Sequence, residues 1–176
     1  MIAVLLIVAD RAGWLPFHRS DDLAAYDGKV AVITRVIDGD TVEISLPDTN
    51  RETLTTKVRL WGIDCPEMPL AGRDAEPLAD QATQWVEQLA LHREVRLLLE
   101  PARMRDKYDR VLAHLWLADG RSINESLLEQ GLARADDRWS HSMIRRYAQV
   151  ELAARRRGAG IWALGESVSG NTAPAP

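Results

Sequence analysis

KVAVITRVIDGDTVEISL, residues 29–46, reads as two β-strands meeting at a turn. It is rich in Val, Ile and Thr, alternates in polarity, and breaks at Asp38 and Gly39, which carry turn chemistry. Downstream, PDTNRET at 47–53 collects turn residues, and TTKVRLWGI at 55–63 predicts a third strand, so three strands follow one another as a meander. Two further runs, EVRLLLE at 94–100 and RVLAHLWL at 110–117, are short and apolar enough to be strands four and five, with Asp119 and Gly120 turning the chain.

Between strands three and four the period changes. Leu78, Ala82, Trp85, Val86 and Leu89 recur at helical spacing, which predicts a helix over 74–91 with Asp74 as N-cap and Pro77 tolerated in the first turn. Ser122 and Glu125 make a capping-box pattern and Gly131 suits a helix end, so 122–130 reads as a second helix. A third is expected from Ser140, with Met143, Tyr147, Val150 and Ala154 on one face and Gly158 closing it.

Five short strands with one helix inserted after the third and two more behind predict an α+β domain. A five-stranded OB-fold β-barrel with three helices is the economical solution, because closure removes open edges and leaves a face for an oligonucleotide. The composition, 46% hydrophobic and 27% charged over 176 residues, supports one core, assigned to 29–164. Residues 18–28 read as a linker. The apolar run IAVLLIVA at 2–9 is too short to span a bilayer and lacks a basic flank. Residues 1–28 are therefore read as a leader and linker, the leader being either the trailing part of an export signal or membrane anchor, from which secretion or anchoring would follow, or a loosely docked apolar segment. The tail 165–176 lacks apolar periodicity and is expected to be disordered.

The formal charge is −4, which excludes a uniformly basic coat, but residues 101–160 hold twelve Lys and Arg against eight Asp and Glu. A single cysteine, Cys65, excludes an internal disulfide and a cysteine-rich zinc site, and the four histidines lack ligand-like spacing.

Three charged segments stand beside strand ends. DGDTV at 38–42 brackets Gly39 with Asp38 and Asp40, short carboxylates of the kind a hard divalent cation takes, although an Asp-Gly turn is also ordinary hairpin chemistry. RLWGIDCPE at 59–67 places Arg59, Asp64 and Glu67 within nine residues, either a phosphate clamp, metal ligand and base or a surface ion-pair cluster. RMRDKYDR at 103–110 surrounds Tyr108 with four basic residues, either a loop tracking a phosphate backbone or a solvated one.

In order and spacing these segments resemble the thermonuclease (staphylococcal nuclease-like) family over roughly 29–162. NESLLEQGLA at 124–133 and GIWAL at 160–164 resemble that family's later motifs. The resemblance implies a metal-dependent phosphodiesterase acting on DNA or RNA and leaving 3′-phosphates. It implies Ca²⁺ as cofactor, with Asp40, Asp64 and the main-chain carbonyl of Cys65 as ligands and Asp38 in support. Glu67 would orient or deprotonate water, and Arg59 and Arg110 would neutralise the phosphoryl oxygens. Lys107, Tyr108 and Trp139 would contact the strand. No protein partner is implied, and a monomer is expected.

Two departures stand out. Asp109 occupies the usual glycine of the Asp-Lys-Tyr-Gly-Arg loop, and the family's substrate-stacking aromatic pair is replaced by Asp136 and Asp137, leaving Trp139 as the candidate platform. A non-catalytic nucleic-acid- or protein-binding module is the alternative, and a purely structural exported domain is a distant third. Such modules have no need of Asp40, Arg59, Asp64, Glu67 and Arg110 together.

Overall fold

The computed structural model describes residues 18–48, 50–69 and 74–164, with the backbone alone for 18–21. The apolar run at 2–9 and the tail at 165–176 lie outside the described residues, so the leader and tail expectations do too. No described helix is long and apolar enough to cross a membrane.

The opening stretch forms β1 (Val30–Asp38) and β2 (Thr41–Ile44), antiparallel across a two-residue turn at Gly39 and Asp40. The pairing slips twice, between Ile33 and Arg35 and between Val36 and Asp38. Each slip leaves one extra residue on β1, and such bulges bend a strand enough to let a small sheet close. β3 (Thr56–Leu60) pairs antiparallel with β2. β5 (Glu94–Leu99) and β6 (Val111–Leu117) form a second hairpin. The barrel closes in the order β1-β2-β3-β6-β5 through a parallel β3–β6 contact and an antiparallel β1–β5 contact. This is the expected five-stranded OB-type barrel.

Ala31, Ile33, Val42, Ile44, Val58, Leu60, Val95, Leu97 and Val111 fill it. β5 keeps a strict exposed–buried alternation, whereas β6 is buried at six of its seven positions. One face of β6 looks into the barrel and the other lies under helices. Those helices are α3 (Ile123–Glu129) and α4 (Ile144–Arg156). Ser122 caps α3 by accepting the Glu125 amide, and α4 buries Tyr147, Val150 and Ala154, the face its periodicity predicts.

Three local expectations differ from the structure. The helix after β3, α2 (Ala79–Ala90), starts five residues later than predicted, and Asp74 does not cap it. Pro77 biases Glu76 away from helical backbone and Leu78 adopts a left-handed conformation with φ 72°, so helix propagates only beyond them. Residues 18–26, read as linker, form helix α1 (His18–Tyr26), which docks through the fully buried Tyr26 and through Asp22. The predicted third strand ends at Leu60. After a turn at Trp61 and Gly62, the two-residue strand β4 (Ile63–Asp64) pairs with β7 (Arg134–Ala135) in a separate small sheet.

Candidate active site

The β1–β2 turn, the segment from Arg59 to Met68, the loop between β5 and β6 and the residues after β7 meet at one end of the barrel. They line a cleft of about 450 Å³. All ten residues singled out from the sequence border it: Asp38, Asp40, Arg59, Asp64, Cys65, Glu67, Lys107, Tyr108, Arg110 and Trp139.

The acidic wall is built on the barrel turn that carries Asp40 and on the small β4–β7 sheet that carries Asp64. Gly39 is required in that turn, since a Cβ would lie 2.7 Å from the Ala82 Cβ of α2 and 3.0 Å from the Cys65 Cβ. The turn is thus pressed between helix and strand exit. Asp38 Oδ1 accepts the Asp40 amide at 3.0 Å. Asp40 is 8% exposed; its Oδ2 accepts the Cys65 amide at 3.0 Å and lies 3.0 Å from Arg59 Nη2, while Oδ1 accepts the Thr41 hydroxyl. Burial pushes the Asp40 carboxyl up to about 7 against the pull of Arg59, with Asp38 adding to the rise. Positive charge around this carboxylate falls short of what its burial demands.

Arg59 reaches four acceptors. Nη1 donates to the carbonyls of Leu60 and Ile63, and Nη2 donates to Asp64 Oδ1 at 2.8 Å while contacting Asp40 Oδ2. This guanidinium therefore fixes the loop exit and draws two carboxylates onto one nitrogen. The Cys65 thiol is buried, and desolvation with Asp40 nearby pushes its ionisation up, as suits a packing residue rather than a nucleophile. Behind this wall Gly62, at φ 76°, packs so tightly that a Cβ would sit 2.5 Å from the His141 ring. Buried Asn124 ties the Trp61 carbonyl to the Leu115 amide.

The basic wall is made of loops. Asp106 Oδ1 accepts the amides of Tyr108 and Arg110, and Oδ2 accepts Arg110 Nε at 2.7 Å. Arg110 Nη1 reaches Thr41 Oγ1 at 2.9 Å, joining this loop to the acidic turn. Tyr108, 60% exposed, is flanked by Lys107 and Arg110. On the same wall, Trp139 is 51% exposed, with the Arg103 guanidinium 3.9 Å from its ring centroid. Arg138 makes a two-pronged contact with Asp136 and stands 3.8 Å from Asp64 Oδ2. Although burial alone would raise the Asp136 carboxyl, the Arg138 hydrogen bonds hold it below its usual range.

Sequence reasoning assigned no role to Thr41, Asp106, Asn124, Asp136 and Arg138, and took Arg103 only as one charge of a basic loop. Two of them were findable. Asp106 and Asp136 each precede the amides they bind by two residues, the spacing of an Asx turn. Asn124, Arg103 and Thr41 act through partners distant in sequence.

Among the described residues no three His, Cys, Asp or Glu side chains converge as a ready-made metal site. What the site offers is two carboxylate oxygens, Asp40 Oδ2 and Asp64 Oδ1, meeting at a single cationic nitrogen. An all-oxygen donor pair with excess negative character suits a hard divalent cation.

The sequence profile described as Staphylococcal nuclease homologue matches residues 57–164. The chain belongs to that family. Among relatives of this nuclease family, the Thermonuclease of Staphylococcus intermedius is 33% identical over 75% of this chain and 73% of its own length. The Probable endonuclease LCL3 of Uncinocarpus reesii is 34% identical over 61% of this chain and 38% of its own, and the Aspergillus flavus counterpart is 31% identical over 61% and 43%. The chain thus spans less than half the length of these two endonuclease relatives. Within the family pattern, Asp109 takes the glycine position with φ 63°, a backbone that Asp tolerates better than most residues.

Proposed function

We propose that this chain is a calcium-dependent endonuclease that hydrolyses phosphodiester bonds of DNA or RNA and leaves 3′-phosphates. The observation that carries the proposal is the convergence of Asp40 and Asp64 on one point of a cleft that also holds Glu67 and Arg110. Membership of the family and the names of the relatives support it.

In this reading Asp40 and Asp64 hold the cation, with the Cys65 carbonyl as a further oxygen and Asp38 bracing the turn. The bound ion would polarise the phosphate and help position water. Exposed Glu67 takes a proton from the attacking water or orients it. Arg110, anchored through Nε and Nη1, turns its remaining nitrogen to the phosphoryl oxygens, where charge builds in the transition state. Arg59 keeps the two carboxylates in register and adds positive charge beside them. Lys107, Tyr108 and Trp139 grip the strand by charge and stacking.

Glu67→Gln separates a nuclease from a binding module. It is expected to lower the cleavage rate of a single-stranded oligonucleotide on the order of 10²–10⁴-fold under calcium saturation, while calcium affinity measured by calorimetry is unchanged. A wild-type rate in this variant would remove Glu67 from the chemistry.

A further inference from the structure

Asp109, a non-glycine residue with φ 63°, has an answering structure on the outer side of the loop between β5 and β6. Arg105, whose side chain is 10% exposed, donates through Nε and Nη2 to both oxygens of Asp22 at 2.8 Å. Its Nη1 stands 3.1 Å from Asp48 Oδ1 and donates to the Asp109 carbonyl at 3.0 Å and to Asp109 Oδ1 at 3.4 Å. Asp109 is held from the other side by Asn50 Nδ2 at 3.1 Å and Arg51 Nε at 3.4 Å, and Arg51 also reaches the Tyr108 carbonyl. One guanidinium therefore joins α1, the β2–β3 connection and the cleft loop, with partners 83, 57 and 4 residues away.

None of Asp22, Asp48, Arg105 and Asp109 borders the cleft. Their loop nonetheless carries Lys107, Tyr108 and Arg110, which do. The loop is short and closed at its base by the Arg105–Val111 bridge, so its orientation follows the anchoring of its outer edge. Asp48 and Asp22 are nearly inaccessible, and removing one partner of a buried ion pair is costly. The planar five-donor fork of arginine grips Asp22 with two parallel bonds and still reaches Asp48 and Asp109, a geometry the three donors of an ammonium do not reproduce.

We propose that Arg105 is a positioning residue of the active site: joined to Asp22, Asp48 and Asp109, it fixes the loop that presents Tyr108 and Arg110. The inference rests on the proposed nuclease reading for its catalytic consequence, not for the anchoring itself. It makes α1 part of the functional unit, and it explains how an Asp serves at a left-handed position that glycine would fill without strain.

The test uses the full chain with Arg105→Gln, Asp22→Ala and the double change Arg105→Gln with Asp109→Gly. Two readouts are needed: amide hydrogen exchange by residue, and steady-state cleavage of a single-stranded oligonucleotide in calcium. In Arg105→Gln the amides of Tyr108 and Arg110 should exchange at least about 10-fold faster while β5 and β6 keep their protection. The kcat should fall about 10-fold or more, with a smaller change in KM, because a misplaced Arg110 costs transition-state rather than ground-state contacts. Asp22→Ala should show the same pattern more weakly. Asp109→Gly should restore little of the lost kcat in the double variant, since Asp22 and Asp48 still lack their partner and the loop still lacks its anchor. Unchanged loop exchange, protection lost equally through β5 and β6, or full recovery with Asp109→Gly would each overturn the proposal. If the wild-type protein does not cleave, the nuclease reading falls, and the exchange data still decide whether Arg105 anchors the loop.

Discussion

The two walls of the cleft are made differently. Asp40 sits 8% exposed on a hairpin turn wedged against α2, and Arg59 is spent on four internal acceptors. Opposite it, Tyr108 and Trp139 are more than half exposed, and the Arg138 side chain is 66% exposed. Asp40 is held by the barrel and Asp64 by the small β4–β7 sheet, whereas the exposed groups of the basic wall ride on loops. Groups that must meet an ion to within a few tenths of an ångström belong on rigid elements, whereas a flexible polyanion tolerates adjustable contacts. Disturbing the first wall should therefore abolish turnover, and disturbing the second should tune it.

The largest effect is expected at the acidic wall. Asp64→Ala, in which the lost side chain is half exposed, should eliminate calcium-dependent cleavage and change unfolding free energy by no more than about 1 kcal/mol. Asp40→Ala should eliminate cleavage and also destabilise the fold, because the Cys65 amide and Arg59 lose a buried acceptor. Chemical denaturation alongside activity separates the two, and equal stability of both variants would break the contrast. At the junction of the walls, Arg110→Lys should lose on the order of 10²-fold in kcat, since an ammonium cannot hold Asp106 and Thr41 and still reach phosphate. A fully active Lys variant would show that charge alone is needed there.

The rigidity of the acidic wall predicts a pH dependence. His114 and His141 pack behind Trp61 and Gly62, His114 Nδ1 meets the Tyr147 hydroxyl at 2.8 Å, and Glu100 Oε1 lies 3.4 Å from His114 Nε2. Burial first, then the charge of His141, lowers His114 to about 4 against the opposing pull of Glu100. The folded chain thus refuses a proton that the unfolded chain accepts at an ordinary 6.5. The His114 contribution to stability should be fully present above about pH 6.5 and be lost on acidification toward about pH 4, on the order of 3 kcal/mol. Urea unfolding at pH 7 and pH 5 measures it, and His114→Gln should flatten the difference; an unchanged slope would assign the pH dependence elsewhere. On the basic wall the smallest effect is expected: Trp139→Ala should weaken single-strand binding by about 1–3 kcal/mol, read by titration, without affecting calcium affinity. A drop in calcium affinity would mean that the walls are not independent.

What was legible in the sequence follows the same division. Strand alternation in 29–46 exposed the barrel because each inward residue is fixed by the pleat, and the charged site residues stood out because strand ends and tight turns group them, while Cys65 and Trp139 came only with the family resemblance. The start of α2 was not legible from periodicity, which continues through Pro77 and Leu78 although the backbone there does not. Helix α1 escaped because its docking depends on Tyr26 entering the core and on Asp22 meeting an arginine 83 residues away. Arg103 and Arg138 escaped for a related reason: a solvated loop charge and one beside a cleft look alike until the loops are folded.

The central claim is that Asp40 and Asp64 together serve phosphodiester hydrolysis. A defined single-stranded oligonucleotide incubated with the wild-type chain, in calcium and in chelator, with the fragments weighed by mass spectrometry, tests it most directly. The account predicts internal cleavage in calcium alone, with every new upstream end carrying a 3′-phosphate and every downstream end a 5′-hydroxyl. Equal cleavage in chelator, 5′-phosphate ends, or no cleavage with calcium present would contradict it.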